Sequence, residues 1–328
     1  MKVWELLSAK GPPLGLFLNP KKCEWSWLNP SVTAPCPLPD VALVPTSEVC
    51  ILGVPLGSAS FSSAFVRERL FSRVGTAIER LKNLDDSQSA LYLLRLSYGI
   101  VRATHHMRCT PLRHWEEEAV QFDRDIRHAA EAILGTVFDD RAYAQATLTP
   151  SLGGLGLRRV TEHADAAFAA SWRESQATAE ESWTVPPQAL AHTGSQTEAS
   201  LVIDRAIRAQ LVRESPSQRE QQRLTRLVAE HAGAWVTAVP SSLDGPDCCM
   251  SPAVFRTAVR YRLGLRVAHP GVVCSFCTQS FDERGDHAAC CKMNGDIVVR
   301  HNRLRNLVFR VAQEGLLSPV LEARDLAR

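Results

Sequence analysis

The chain has 328 residues, 45% of them hydrophobic, and a formal net charge of +2. That length suggests two or three domains, and that composition supports ordinary buried cores and excludes a wholly disordered chain. A charge balance this close to neutral points to no partner by itself, so charge is informative only where it is concentrated.

No run approaches eighteen apolar residues, so no membrane span is predicted. The first residues, MKVWELLSAKGPPLGLFLNPKKC, have no clean apolar core and no small-residue cleavage site. The expectation is an intracellular protein without a signal peptide, nuclear or cytoplasmic. In a reducing compartment thiols stay unpaired, and clustered cysteines favour metal over cross-links.

In chain order, VWELLSAKG reads as a short helix closed by Gly11. PPLGLFLNPKKCEW follows as an apolar, strand-like run with a basic turn. Residues 28–48 hold five prolines and read as loop. VCILGVPLG, 49–57, is β-branched and ends on glycine, a strand running into a turn. The pattern then becomes helical: Val66, Leu70, Val74, Ala77, Ile78 and Leu81 repeat at three and four. A second helix is predicted over QSALYLLRLSYGIVRATHHM after Ser87, and a third over WEEEAVQFDRDIRHAAEAIL, stopped by Gly135. LTPSLGGLGLRRV, 148–160, is a glycine-rich turn, and TEHADAAFAASWRES starts a fourth helix. Residues 176–200 read as a linker, and 201–235 return to helix with mixed charge. After a loop at VPSSLDGPDCCMSP, a helix over AVFRTAVRYRL is stopped by Gly264, and a last helix starts near 298.

Four cysteines and one histidine fall within residues 274–291, CSFCTQSFDERGDHAACC. Cys274, Cys277, His287 and Cys291 give the spacing C-x2-C-x9-H-x3-C. A tight C-x2-C turn aims two sulfurs at one ion, and a closed Cys3His set is what a structural zinc site uses. Cys290 competes with Cys291 as fourth ligand; His287 and Cys291 lie one helical turn apart, which favours Cys291. Asp286 is placed either to orient the histidine ring or as a solvated loop acid. His105, His106 and Cys109 also have ligand-like spacing, but such a cluster beside apolar residues is usually structural. Glu116, Glu117 and Glu118 read as a helix first-turn acid run.

From Arg256 to Arg310 there are ten Lys or Arg against four acids, a surplus of six. Arg260, Arg262, Arg300, His301, Asn302, Arg303 and Arg305 are therefore candidate nucleic-acid contacts. Leu304, Leu307, Val308 and Val311 form an apolar stripe on the same last helix.

GLFLNPKKCEW, CILGVPLG, LTPSLGGLGLRR, FRTAVRYRLGL, the cysteine module and RHNRLRNLV occur in one order along the chain. That order resembles the C-terminal half of a LINE-type, non-LTR retrotransposon reverse transcriptase polyprotein. The resemblance implies a mainly α fold with these parts: a small β-containing palm remnant over 1–57, a helical thumb-like region over 58–175, and a linker over 176–200. It continues with a helical connector over 201–265, a zinc knuckle over 266–299 and the first helix of a restriction-like endonuclease over 300–328. It further implies RNA or DNA as partner and a structural zinc.

The chain departs from the family at both ends. The palm aspartates that hold two divalent ions would precede it, and the endonuclease carboxylates would follow Arg328. Asp85-Asp86 stands at a helix start, and Asp139-Asp140 lies in a helical region with no strand after it. Glu322 alone matches an endonuclease acid. No catalytic residue is predicted. The expectation is a truncated reverse transcriptase-like protein that binds nucleic acid but neither polymerises nor cleaves. The alternative, from another class, is a stand-alone zinc-stabilised scaffold that contacts proteins.

Overall fold

A computed structural model describes residues 2–27, 29, 31–32, 34–176, 194–240, 249–293 and 295–321. The fold is mainly helical, 60% helix against 5% strand, as expected. The chain forms two compact units, Met1–Phe255 and Arg256–Arg328.

The first unit opens with α1, Lys2–Lys10, which closes where the Gly11 N–H meets the Leu7 carbonyl at 2.9 Å. Of the run after it, only the last two residues form a strand. Pro12 and Pro20 each start a 3-10 turn, Pro12–Leu14 and Pro20–Lys22, because proline fixes φ and offers no N–H to a ladder. Strands β1, Glu24–Trp25, and β2, Ala42–Leu43, pair in parallel. VCILGVPLG is not the single strand expected but a hairpin of β3, Glu48–Ile51, and β4, Val54–Gly57, with Val49 opposite Leu56. Its two tip residues, Leu52 and Gly53, both have positive φ, 53° and 79°, the hand that matches strand twist. Val41 is the one hydrophobic side chain of this stretch that is buried among the described residues, while Leu16 and Phe17 of GLFL are 65% and 77% exposed.

The helical body follows. Ser58 caps α2, Ala59–Lys82, by accepting from the Phe61 N–H. Val66, Leu70, Val74, Ile78 and Leu81 are buried along one face, as their spacing predicted. The helix expected after Ser87 is broken. Asp86, not Ser87, caps α3, Ser87–Leu93, which passes into a π turn at Leu94–Tyr98. Gly99, at ψ −147°, then turns the chain before α4, Thr104–Cys109. Helix α5, Glu116–Leu134, ends at left-handed Gly135. Asp139 caps α6, Asp140–Thr147, taking the Ala142 N–H at 2.7 Å, so the acid pair there serves a helix start.

Helix α7, Val160–Gln176, lies among α4, α5 and the next helix, α8, Gln196–Arg213. Ala164, Ala166, Ala167, Ala169 and Ala170 are all buried on it. Side chains this small let three neighbours approach closely. The first turn of α7 has a remote cap. Asp123 of α5 accepts from the N–H of Val160 at 2.7 Å and of Thr161 at 3.0 Å. The glycine-rich turn before α7 is explained by packing: a Cβ on Gly154 would stand 2.0 Å from the Leu148 carbonyl oxygen.

Residues 195–200 of the expected linker are a helix start. Ser195 and Glu198 form a capping box on α8, and 177–193 lie outside the described residues. Helices α9, Gln218–Arg226, and α10, Ala234–Thr237, complete this unit, with Leu148, Leu211 and Leu224 forming a small shared core. Helix α11, Pro252–Leu263, runs across the boundary between the units and stops at Gly264, as expected.

Glu118 is more than a first-turn acid. It is buried, and it accepts from Ser63 at 2.9 Å and from Arg67 at 2.6 Å, joining α5 to α2. Burial works to raise its carboxyl, but these hydrogen bonds outweigh it and hold the group below its ordinary range. His106 packs against Phe65 and Trp115, with ring centroids at 6.3 and 6.4 Å, and so serves the core.

Two buried histidines make this unit acid-sensitive. Burial, then His105 and Arg69, push His106 down to about 4; burial, then Arg158 and Arg159, do the same for His163. Both are neutral in the fold at neutral pH. The unfolded chain takes up their protons below its own pKa of about 6.5, so their stabilising contribution is lost between about pH 6.5 and 4, on the order of 3 kcal/mol each. Buried Asp123 and Glu162, both pushed up by burial, act in the opposite direction. Proton NMR titration should find two imidazoles that stay neutral down to about pH 4. Imidazole midpoints all near 6.5 would refute this.

Candidate metal centre

After the end of α11, the described residues of the second unit form a short cysteine hairpin and the helices α12, Asp286–Cys290, and α13, Asp296–Glu314. Val273 and Ser280 form an antiparallel bridge, and the Cys274 N–H meets the Gln279 carbonyl at 2.9 Å. The turn between them includes Thr278 at φ 59°, with its N–H on the Cys274 carbonyl at 2.9 Å. This places Cys274 and Cys277 side by side. Helix α12 supplies His287, and Cys291 stands at its C-terminal cap, with its N–H on the His287 carbonyl at 2.8 Å.

The ligand atoms of Cys274, Cys277, His287 and Cys291 all lie within 4.8 Å of one another. The Cys274 and Cys291 sulfurs are 3.9 Å apart, and the Cys277 sulfur is 3.3 Å from His287 Nε2. A tetrahedral zinc with bonds of about 2.3 Å to sulfur and 2.0–2.1 Å to nitrogen has edges of about 3.8 and 3.6 Å. The quartet therefore fits a zinc-sized ion. Cys291 is buried and its sulfur lies in the cluster, whereas Cys290 is exposed and lies outside it. No other metal-competent group of this kind occurs among the described residues.

The hairpin also favours thiolate. The backbone N–H groups of Cys277 and Phe276 point at the Cys274 sulfur and, with His287, hold its thiol down to about 6. The Gln279 N–H acts likewise on Cys277, but burial and the sulfurs of Cys274 and Cys291 outweigh it and push that thiol up. Three thiolates in this space would repel one another, and a bound dication would offset that repulsion and favour loss of the thiol protons.

Two acids stand near the histidine. The carboxylate of Asp286 has an oxygen 3.5 Å from the Tyr261 hydroxyl. The carboxylate of Asp282 accepts from the backbone N–H groups of Arg284 at 3.1 Å, Asp286 at 2.9 Å and His287. The ring of Phe281 lies 5.4 Å from that of His287.

The expected nucleic-acid contacts divide in two. On α13, Arg300, His301 and Arg303 are exposed, and Asn302 and Arg305 half-buried. Arg300 also donates to the Ala289 carbonyl at 2.5 Å, which ties α13 to the end of α12. On α11, Arg260 is half-buried and Arg262 is only 3% exposed, so the Arg262 side chain is withdrawn from any surface strand. Glu322 lies outside the described residues.

One constellation was not anticipated. His163 of α7 stands 3.3 Å from the Ser200 hydroxyl through Nδ1 and 3.6 Å from Asp204 through Nε2. Arg158 pairs with the same Asp204 at 2.6 Å. A hydroxyl, an imidazole and a carboxylate in line invite a hydrolase reading. All three side chains are buried between α7 and α8, however, and present no surface to a substrate. They form a polar lock between two helices. Ser200 and Asp204 are four apart on one helix, which is the only signal the sequence offered.

No protein-family model, curated protein or solved structure matches the chain. Among the described residues no helix is long and apolar enough to cross a membrane.

Proposed function

We propose that this is a nucleic-acid-binding protein built around a structural zinc knuckle, similar to the thumb-to-knuckle portion of a non-LTR retrotransposon reverse transcriptase. The observation that carries the proposal is the juxtaposition in one unit of the Cys274, Cys277, His287, Cys291 quartet with α13, which presents Arg300, His301, Arg303 and Arg310 at its surface. A zinc ion held by the quartet would cross-link the hairpin to α12, to which Arg300 ties α13 through the Ala289 carbonyl, and would supply no chemistry of its own there. Arginines held in this way contact phosphates and position a strand without reading its sequence. The reading includes no polymerase or nuclease step.

A second reading, a scaffold that contacts proteins, is favoured by the apolar stripe of α13. Leu304, Leu307, Val308 and Val311 are each at least half exposed.

Salt dependence separates the two. The full chain should bind single-stranded RNA or duplex DNA, with log K falling linearly in log salt. Replacing Arg303, Arg305 and Arg310 by alanine should weaken binding across sequences and flatten that slope by about one unit per lost phosphate contact. A zinc-loaded chain that binds neither polymer at low salt refutes the nucleic-acid reading and makes the protein-contact reading the better one.

A further inference from the structure

We infer that Asp282, and not the adjacent Asp286, is the positioning residue of the metal centre. This rests on the proposed zinc site and concerns how its histidine is held. His287 is the one ligand that reaches the ion from a helix, and that helix is a single short turn, Asp286–Cys290. So short a helix has no cooperative stability of its own. Its capping residue, Gly285, has no side chain to offer, and its φ of 82° suits glycine. The missing acceptor comes from three residues further back. The Asp282 carboxylate takes the N–H of Arg284, Asp286 and His287 itself, while the Gly285 N–H meets the Asp282 carbonyl at 3.1 Å.

One side chain thus fixes both the turn before the helix and the backbone of the ligand. The main chain on either side of Asp282 is anchored as well. The Phe281 N–H meets the Val272 carbonyl at 2.8 Å, and the Glu283 carbonyl accepts from Val267 at 2.8 Å and Ala268 at 3.1 Å. Asp282 therefore hangs from an anchored segment and holds the ligand helix against it. Without its carboxylate the first turn of α12 loses its acceptor, and the His287 backbone has to be ordered when metal binds. The ordering entropy is then drawn from metal affinity.

The test uses the full chain. Zinc affinity is measured by competition with a chelator, and the cobalt-substituted protein is followed by its visible and thiolate charge-transfer absorption. Asp282→Ala should bind zinc about 10–100-fold more weakly, still at one ion per chain. Its cobalt bands should shift as the imidazole loses its fixed orientation. Asp282→Asn keeps one accepting oxygen but replaces the other with an NH2 donor, so it can serve the Arg284 and Asp286 N–H groups or that of His287 but not both, and it should recover only part of the affinity. Asp286→Ala should stay within about twofold of the unaltered chain. An Asp282→Ala chain with native affinity and native cobalt bands overturns the assignment, as does a larger loss in Asp286→Ala. If Asp282→Ala does not fold, the Asn variant decides: weakened affinity with displaced bands supports the role, and native affinity with native bands opposes it. An unaltered chain that takes up no zinc overturns the metal centre itself, a different result from any of these.

Discussion

Cys277→Ser should leave the purified protein without zinc, where the unaltered chain holds about one ion by elemental analysis. Structural zinc in small modules is worth on the order of 10 kcal/mol or more of apparent binding free energy, and most of that is folding energy of the module. The loss should therefore be structural. In the variant, amide exchange at Cys274, Thr278 and Cys291, whose N–H groups bond within the hairpin and helix, should become fast. The body of Met1–Phe255 should keep its protection. Cys290→Ser is the matched control: that thiol is exposed and outside the quartet, so the metal should stay. Full zinc in Cys277→Ser, or loss of zinc in Cys290→Ser, would mean that the ligand set is wrong.

The second large effect is expected at Asp204, far from the metal in sequence. Its side chain is 1% exposed and pairs with Arg158, which is 30% exposed. Removing one partner of a buried pair strands the other, at a cost of about 3–5 kcal/mol when both are fully buried. Because Arg158 keeps some contact with water, Asp204→Ala should cost about 3 kcal/mol, read from the denaturant midpoint at constant slope. Asp165, exposed on α7, provides the comparison, and its alanine variant should lie within about 0.5 kcal/mol of the parent. Equal effects at the two positions would show that the polar lock contributes nothing to stability.

What the sequence revealed was mostly periodic or locally punctuated. The face of α2 followed from apolar spacing, and the ends of α5 and α11 from Gly135 and Gly264, both at positive φ. The metal quartet followed from spacing alone, because ligands held on one hairpin and one helical turn leave their signature within a few residues. Other features were present and misread. Ser195-Gln196-Thr197-Glu198 is a capping-box pattern inside what composition suggested was linker. Gly99 breaks the predicted helix after α3, and glycine in an otherwise helical pattern is a known breaker.

The remainder depended on partners distant in sequence. Glu118 looked like any first-turn acid because its value lies in Ser63 and Arg67, 55 and 51 residues away. Asp286 drew attention because adjacency to a candidate ligand is visible in a sequence, whereas the Asp282 carboxylate folding forward onto three N–H groups is not. Arg262 counted toward a basic surplus, and only burial shows that its charge is turned inward.

The cap that Asp123 places on α7 also bears on the order in which the chain can acquire structure. The carboxylate sits 37 residues before the first N–H it accepts. A peptide of α7 alone would leave its opening donors to water and, at this length, would hold little helix. During synthesis, however, α5 emerges from the ribosome first, and its aspartate is already in place when Val160 and Thr161 follow. The direction of translation thus delivers the acceptor before the donors, and a circular permutant that made α7 ahead of α5 would have to wait for it.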